Sequence, residues 1–88
     1  MKPYLRRVVA LGCIVCGAAA VPHHPRELSL GCGTGIKADD QDAIPLCNRH
    51  HTTGGYGVAI HAGIEEWERR YGTQLELLAQ VKQELGET

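Results

Sequence analysis

Aromatic side chains are scarce in this sequence, which limits the core that it can build. There is no phenylalanine, and the 88 residues include one tryptophan and three tyrosines. A domain of this size buries only about 60% of its unfolded surface, so it usually needs metal ions, disulfides or partners for stability. The sequence therefore predicts one domain over residues 1–88, stabilised through its four cysteines and five histidines.

An excess of one charge is also lacking, since nine basic and ten acidic residues give a net charge of −1. Residues 1–50 carry six basic and four acidic side chains, whereas residues 51–88 carry three and six. The basic residues thus share the half of the chain that holds most cysteines and histidines. A charge difference this small between the two parts of the chain is also expected of a protein whose surface binds no partner. Charge alone therefore neither predicts nor excludes nucleic-acid binding.

No apolar run is long enough to cross a membrane. Basic residues precede the segment Val8 to Val21 in the arrangement of an export signal, but only five residues separate Arg7 from Cys13. The apolar core of such a signal needs about 7–15 residues. We therefore expect a cytoplasmic protein with no membrane partner, in which closely spaced cysteines favour metal binding over disulfides. An exported or redox-active disulfide protein is the minor alternative.

Glycine and proline divide the first two thirds of the chain into short elements. The run Val8-Val9-Ala10-Leu11 predicts a strand that leads into a tight turn at Cys13 to Cys16. The prolines of Pro22-His23-His24-Pro25 favour an extended segment. Three glycines within residues 31–35 predict an irregular loop, and a short helix is expected near Cys47.

The last third of the chain has helical periodicity. Apolar residues at helical spacing predict one helix from Ile64 to Tyr71, ended by Gly72. Thr73 and Glu76 then have the pattern of a capping box at the start of a second helix. Its apolar face is predicted to consist of Leu75, Leu78, Val81 and Leu85. We expect an α+β fold, with a metal-bearing turn, short strands and active site over residues 8–63 and helices over residues 63–86.

Two cysteine-containing pairs have the spacing of a structural zinc site. Cys13-x-x-Cys16 can direct both thiolates at one ion from a single tight turn, and Cys47-x-x-His50 supplies a second pair. Four such ligands form a closed Zn2+ site that contributes folding free energy. Cys32 lies in the glycine-rich segment and is the rival of His50 as the fourth ligand.

Four further histidines predict a second, open metal site. Neighbouring side chains of an extended segment point to opposite faces, so His23 and His24 cannot readily bind the same ion. His23, His51 and His61 together leave positions open, as catalytic metal sites do. His24 is then left as a general base, a role suited to an imidazole because it exchanges protons near neutral pH.

The order of these residues resembles the signature of HNH endonucleases, which are also called ββα-metal or His-Me finger nucleases. That signature is carried here by His23-His24, Asp40, Pro45-Leu46-Cys47-x-x-His50-His51 and His61-Ala62-Gly63. More narrowly, the chain resembles the Ref family of phage and prophage recombination enhancement nucleases. This second resemblance covers residues 13–81 and rests on Gly33-Thr34-Gly35-Ile36-Lys37, Ile44-Pro45-Leu46-Cys47, the histidine pair and Trp67 to Leu78.

The resemblance implies a small zinc-stabilised ββα-metal domain with a catalytic ion. His23, His51 and His61 would hold a divalent ion, Mg2+ or Mn2+ (Zn2+ in a crystal), that polarises the scissile phosphate and stabilises the leaving 3′ oxygen. His24 would take the proton from the attacking water. Nine residues separate His51 from His61, more than is usual in HNH proteins, so the loop at residues 54–57 must return His61 to the site.

The resemblance also implies roles for charged residues and a partner. Asp40 would occupy the position of the signature's central Asn or Asp and orient the segment that carries the base, with Asp42 as a competing candidate. Lys37 and Arg26 are candidates for contacts to neighbouring phosphates. The implied partner is DNA, and the Ref resemblance adds RecA-coated DNA, in a phage or prophage protein of a bacterial host.

These patterns predict a metal-dependent DNA endonuclease that leaves 3′-hydroxyl and 5′-phosphate ends. The alternative from another functional class is a non-catalytic zinc module that binds DNA or a recombination protein. That module would use only Cys13, Cys16, Cys47 and His50 as ligands, with the other histidines as surface or core residues. The number of bound ions separates the two hypotheses.

Overall fold

The computed structural model describes residues 1–25 and 40–86. Three α-helices lie at Pro3–Ala10 (α1), Ile64–Tyr71 (α2) and Gln74–Glu84 (α3), and two strands at Val21–His23 (β1) and Ile44–Leu46 (β2). Shorter helical turns lie at Asp40–Asp42, Arg49–Thr53 and Ile60–Ala62. The predicted α+β class is confirmed, and among the described residues no helix has the length and apolar character needed to span a membrane.

The segment predicted as a strand at Val8–Leu11 is helical over most of its length, so that prediction was wrong. Helix α1 begins at Pro3, whose fixed φ and missing N–H suit the first helical turn. Leu5 and Val8 lie three residues apart on one helix face and pack with Ala43 in a small apolar cluster. This burial outweighs the weak β preference of the β-branched residues.

Strands β1 and β2 form a two-stranded antiparallel sheet that positions the histidine pair. Pro22 lies opposite Pro45, and His23 lies opposite Ile44. Two prolines can face each other because neither has an N–H, which suits a pair without ladder hydrogen bonds. The predicted extended segment is thus confirmed over Pro22 and His23, and the chain leaves the sheet at His24.

The C-terminal helices form as predicted, with one error in the buried face of α3. The capping box of Thr73 and Glu76 is present at the start of this helix. Leu75 is 40% exposed, however, and Leu77 is buried in its place, together with the predicted Leu78 and Val81. The helical phase set by the cap turns Leu75 to solvent and Leu77 to the core.

Trp67 occupies the centre of the main core, where it is fully buried. Its indole N–H donates a hydrogen bond to the carbonyl oxygen of Val58 at 3.0 Å. The ring thereby connects α2 to the loop that precedes His61. Tyr71, one helical turn later, packs against it with the ring centroids 5.2 Å apart.

Replacing Trp67 with alanine should lower the free energy of unfolding by about 3–5 kcal/mol, because it leaves a large cavity and removes the hydrogen bond to Val58. Urea unfolding followed by circular dichroism measures the change. Trp67→Phe keeps most of the apolar volume and should lose less. An unchanged urea midpoint for Trp67→Ala would contradict the central position of the indole.

Two candidate metal sites

The first site brings together the four side chains predicted to bind structural zinc, Cys13, Cys16, Cys47 and His50. The Sγ atoms of Cys16 and Cys47 are 3.7 Å apart, and His50 Nδ1 lies 3.1 Å from Cys47 Sγ and 3.8 Å from Cys13 Sγ. Sulfur and nitrogen ligands of one tetrahedral zinc ion are separated by about 3.3–3.8 Å. The four side chains lie close enough to hold a metal ion, which could be zinc.

Glycines shape the tight turn that presents Cys13 and Cys16. Gly12 and Gly17 have φ values of +79° and +81°, which L-residues with a side chain rarely adopt. A Cβ atom at Gly12 would also lie 2.8 Å from the carbonyl oxygen of Gly17. The turn is closed by hydrogen bonds from the Cys13 amide to Ala18 O and from the Gly17 amide to Cys13 O, both 2.8 Å long.

The end of strand β2 presents the other two side chains. The amide of Ile14 donates to the carbonyl of Pro45 at 3.0 Å, which fixes the tight turn beside β2. Cys47 follows that strand directly, and His50 lies in the helical turn Arg49–Thr53. Burial, and after it the charge of Arg49, lowers the pKa of His50. Its imidazole is therefore neutral near pH 7, as metal binding requires.

The described cysteines are free thiols rather than disulfides. The separation of Cys16 Sγ and Cys47 Sγ, 3.7 Å, is well above the about 2.05 Å of a disulfide bond. Burial opposes ionisation of Cys13, but hydrogen bonds with the backbone of Cys47, Cys16 and Val15 outweigh it and lower its pKa. The backbone of Ala18 lowers the pKa of Cys16, but burial and the neighbouring thiols outweigh it, and that pKa is raised.

The second site brings together His23, His51 and His61, the set predicted to hold the catalytic ion. The Nε2 atoms of His51 and His61 are 2.9 Å apart, and the ring centroid of His23 lies 5.1 and 5.3 Å from theirs. The 2.9 Å distance suits a hydrogen bond between the rings and is also close to the about 3.3 Å between two nitrogens on one tetrahedral ion. His23 is buried and His61 is exposed, so the site opens to solvent at His61.

A glycine-containing loop returns His61 to His51 across the nine intervening residues. The amide of Gly54 donates to the carbonyl of Arg49 at 2.9 Å and ends the helical turn that carries His51. A Cβ atom at Gly54 would lie 2.4 Å from that carbonyl oxygen and 2.5 Å from the side chain of Val58. Glycine is therefore required at this position for the chain to reverse toward His61.

Burial keeps the inner histidines of this site neutral. It lowers the pKa of His23 to about 4, against the opposing effect of a hydrogen bond with Gln74. The charges of His51 and His61 lower it further. The pKa of His51 is also lowered, first by burial and then by His61. Neutral imidazoles are the form that binds metal ions.

His24 is not part of this cluster of three histidines and pairs with Asp40. The Nε2 atom of His24 lies 2.8 Å from Asp40 Oδ1, and Lys2 Nζ lies 3.0 Å from Asp40 Oδ2. First His24 and then Lys2 lower the pKa of Asp40. An ionised carboxylate only accepts hydrogen bonds, so His24 Nε2 carries a proton and, in the neutral ring, Nδ1 keeps its lone pair.

The outcome for the remaining predicted site residues is mixed. Asp40, the first of the two aspartates left open by the sequence, makes the contact with His24. Arg26, Lys37 and Cys32 lie outside the described residues. Their assignment as phosphate contacts and as a rival zinc ligand therefore stays a prediction.

The contacts of Lys2 with Asp40 and of Gln74 with His23 were not predicted from the sequence. Lys2 lies in the N-terminal segment and reaches Asp40 only because α1 packs beside the turn Asp40–Asp42. Gln74 begins helix α3, more than fifty positions after His23. Neither residue belongs to a spaced motif, so no local pattern could have identified them.

Comparison with known proteins places the chain in a family. Residues 1–85 match the model of the family described as "Protein of unknown function (DUF968)". The "Uncharacterized protein YdfU" of Escherichia coli K12 is 38% identical over 78 residues, which are 88% of this chain. The chain spans 20% of the length of that relative, and no solved structure matches it. Since the family model covers nearly every residue, the chain belongs to the DUF968 family.

Proposed function

We propose that this domain is a metal-dependent DNA endonuclease of the HNH type. The observation that carries the proposal is the convergence of His23, His51 and His61 on one solvent-open point, with the His24–Asp40 pair beginning at the next residue of the chain. The order of the elements supports it, because two antiparallel strands are followed by a helical turn that carries His51. That order is the one expected of a ββα-metal site.

The orientation of His24 suits a general base. The Nε2–H group of His24 donates a hydrogen bond to Asp40. The unprotonated Nδ1 can therefore take a proton from a water molecule that attacks the phosphorus. Asp40 then stabilises the imidazolium that forms, as the carboxylate does in other His–Asp pairs. The new bond joins the water oxygen to phosphorus, the bond from phosphorus to the 3′ oxygen breaks, and the leaving oxygen takes a proton from solvent water. The products carry a 5′-phosphate and a 3′-hydroxyl group.

The three imidazoles would hold the ion, which when bound supplies Lewis-acid polarisation of the phosphate and stabilises charge on the leaving oxygen. His24 is outside the cluster of His23, His51 and His61 and contacts Asp40 instead. The ligand and the base therefore do not compete for the ion. The three ligands of the described site are nitrogens without a carboxylate, a set that favours Zn2+ or Ni2+ over Mg2+ in affinity.

Replacing His61 with alanine tests the second site directly. His61 is exposed, so its removal should leave the fold intact while lowering the rate of DNA nicking by at least about 100-fold. Supercoiled plasmid and single-stranded DNA are incubated with Mn2+ or Mg2+, and bound ions are counted by elemental analysis. Glu65→Gln, also at an exposed position, is the matched control. Equal cutting by the parent and His61→Ala would overturn the proposal.

A non-catalytic zinc module is the second candidate function. The hydrogen-bond distance between His51 and His61 accounts for their proximity without an ion, and the net charge of −1 gives no strong attraction to DNA. One tightly held ion per chain, with no second ion and no cutting, would favour this candidate.

The proposed partner is DNA in a phage or prophage context, with action in the bacterial cytoplasm. A chain with a net charge of −1 has few surplus basic side chains to replace the counterions of DNA, so its unaided affinity for DNA should be weak at physiological salt. This weak attraction supports recruitment by RecA-coated DNA, which the Ref resemblance implies.

A further inference from the structure

A buried glutamine contacts the innermost histidine of the second site. Gln74 Oε1 lies 3.0 Å from His23 Nε2, and Gln74 is 2% exposed while His23 is 4% exposed. Polar side chains that are buried this deeply in folded proteins nearly always form hydrogen bonds. Here its partner is a proposed metal ligand, and the contact joins helix α3 to strand β1.

The position of Gln74 is fixed from two directions. Its backbone amide donates to Glu68 Oε2 at 2.7 Å, which ties it to helix α2. The capping box of Thr73 and Glu76 fixes the first turn of α3 on either side of it. Leu77 and Leu78 of the same helix are buried in the core. Helix α3 therefore holds the side-chain amide of Gln74 in a fixed position beside His23.

We propose that Gln74 is a positioning residue that fixes the ring proton of His23 on Nε2 and thereby makes Nδ1 its metal-binding atom. The inference rests on the proposed second metal site. An amide oxygen only accepts hydrogen bonds, so the Nε2 atom facing it must carry the proton. A neutral imidazole with its proton on Nε2 has its lone pair on Nδ1. Histidine ligands are commonly oriented in this way by an acceptor at the nitrogen that does not bind the metal.

Substitutions at Gln74 distinguish side chains that can accept a hydrogen bond from His23 Nε2 from those that cannot. Glu at this position would also accept the proton of Nε2, whereas Leu would leave that N–H buried without an acceptor. Gln74→Glu should therefore preserve the tautomer of His23 and Gln74→Leu should lose it. Gln74→Asn retains the amide but is shorter by one methylene, so it should also lose the contact.

The tautomer is measured in the full chain by long-range 1H–15N NMR of the histidine rings. In the parent protein and in Gln74→Glu, His23 should show a protonated Nε2 and an unprotonated Nδ1. Gln74→Leu and Gln74→Asn should shift it to a mixture or to the other tautomer. A parent protein with the proton on Nδ1 of His23 would overturn the proposal, and this readout needs no variant to fold.

The affinity of the second site is measured with Mn2+ by electron paramagnetic resonance and with Zn2+ by competition. Gln74→Leu and Gln74→Asn should weaken binding by about 10–100-fold, with Gln74→Glu restoring it. Gln80→Leu, at an exposed position of the same helix, is the matched control. Retention of the ion at the cysteine site shows that each variant is folded. Unchanged affinity in folded Gln74→Leu and Gln74→Asn would overturn the positioning role.

Neither measurement uses DNA, so the outcomes for the two proposals are distinct. A second ion whose affinity depends on Gln74, in a protein that does not cut DNA, would refute the nuclease and leave the positioning role intact. A second ion whose affinity is insensitive to Gln74 substitution, in a protein that cuts DNA, would refute the positioning role alone. A parent protein that binds no second ion would refute both.

Discussion

Replacing Cys47 with alanine should leave the protein unfolded at 25 °C. Structural zinc contributes about 10–16 kcal/mol of apparent binding free energy in small zinc domains, whereas a chain of this size has a total stability of the order of 5–10 kcal/mol. Cys47 is buried in the main core, directly after strand β2. Losing one of the four candidate ligands there would remove most of the contribution of a bound zinc ion and leave a small core to fold alone.

Circular dichroism and elemental analysis of purified Cys47→Ala measure this effect, and a strong chelator added to the parent protein should reproduce it. Cys32→Ser is the matched control, because Cys13, Cys16, Cys47 and His50 already offer the four side chains that a tetrahedral site needs. It should keep both the ion and the helical signal. Loss of the ion in Cys32→Ser with retention in His50→Ala would instead assign Cys32 as the fourth ligand.

Replacing His24 with alanine should lower the rate of DNA cutting by about 10²–10⁴-fold, the usual contribution of a general base. The side chain is partly exposed and contacts Asp40, outside both metal clusters. The variant should therefore fold and bind ions as the parent does. Initial rates of plasmid nicking at saturating metal measure the change.

Asp40→Ala sharpens this prediction. Alanine removes the carboxylate that accepts the hydrogen bond from His24 Nε2, so the ring is no longer held with its lone pair on Nδ1. Its effect on cutting should therefore approach that of His24→Ala. Asp40→Asn keeps a side-chain oxygen that can accept the same hydrogen bond, so it should lose less. Asp42→Ala, in the same helical turn, is the matched control and should cut normally. A large loss in Asp42→Ala with none in Asp40→Ala would move the orienting role to Asp42.

The parts of the fold and sites that were predictable have local patterns. The pair Cys13-x-x-Cys16 and the cap at Thr73 each depend on residues within one turn, so their spacing alone indicates the geometry. The separation of His23 from His24 follows from the alternation of side chains in an extended segment.

The parts that were not predictable depend on tertiary packing. Helix α1 forms where Val8 and Val9 favour a strand, because its apolar face packs with Ala43, more than thirty residues away. Leu77 rather than Leu75 faces the core because the cap sets the helical phase. Gln74 reaches His23 only after the sheet and helix α3 have packed together.

The adjacency of His50 and His51 in one helical turn would make ion binding at the two candidate sites interdependent. His50 lies in the cluster with the cysteines and His51 in the cluster with the other histidines, so an ion that ordered one residue would also order the backbone of the other. Binding at either place should then raise the affinity at the other by the same factor, as thermodynamic reciprocity demands. Metal titration of this chain should accordingly show positive cooperativity between unlike sites.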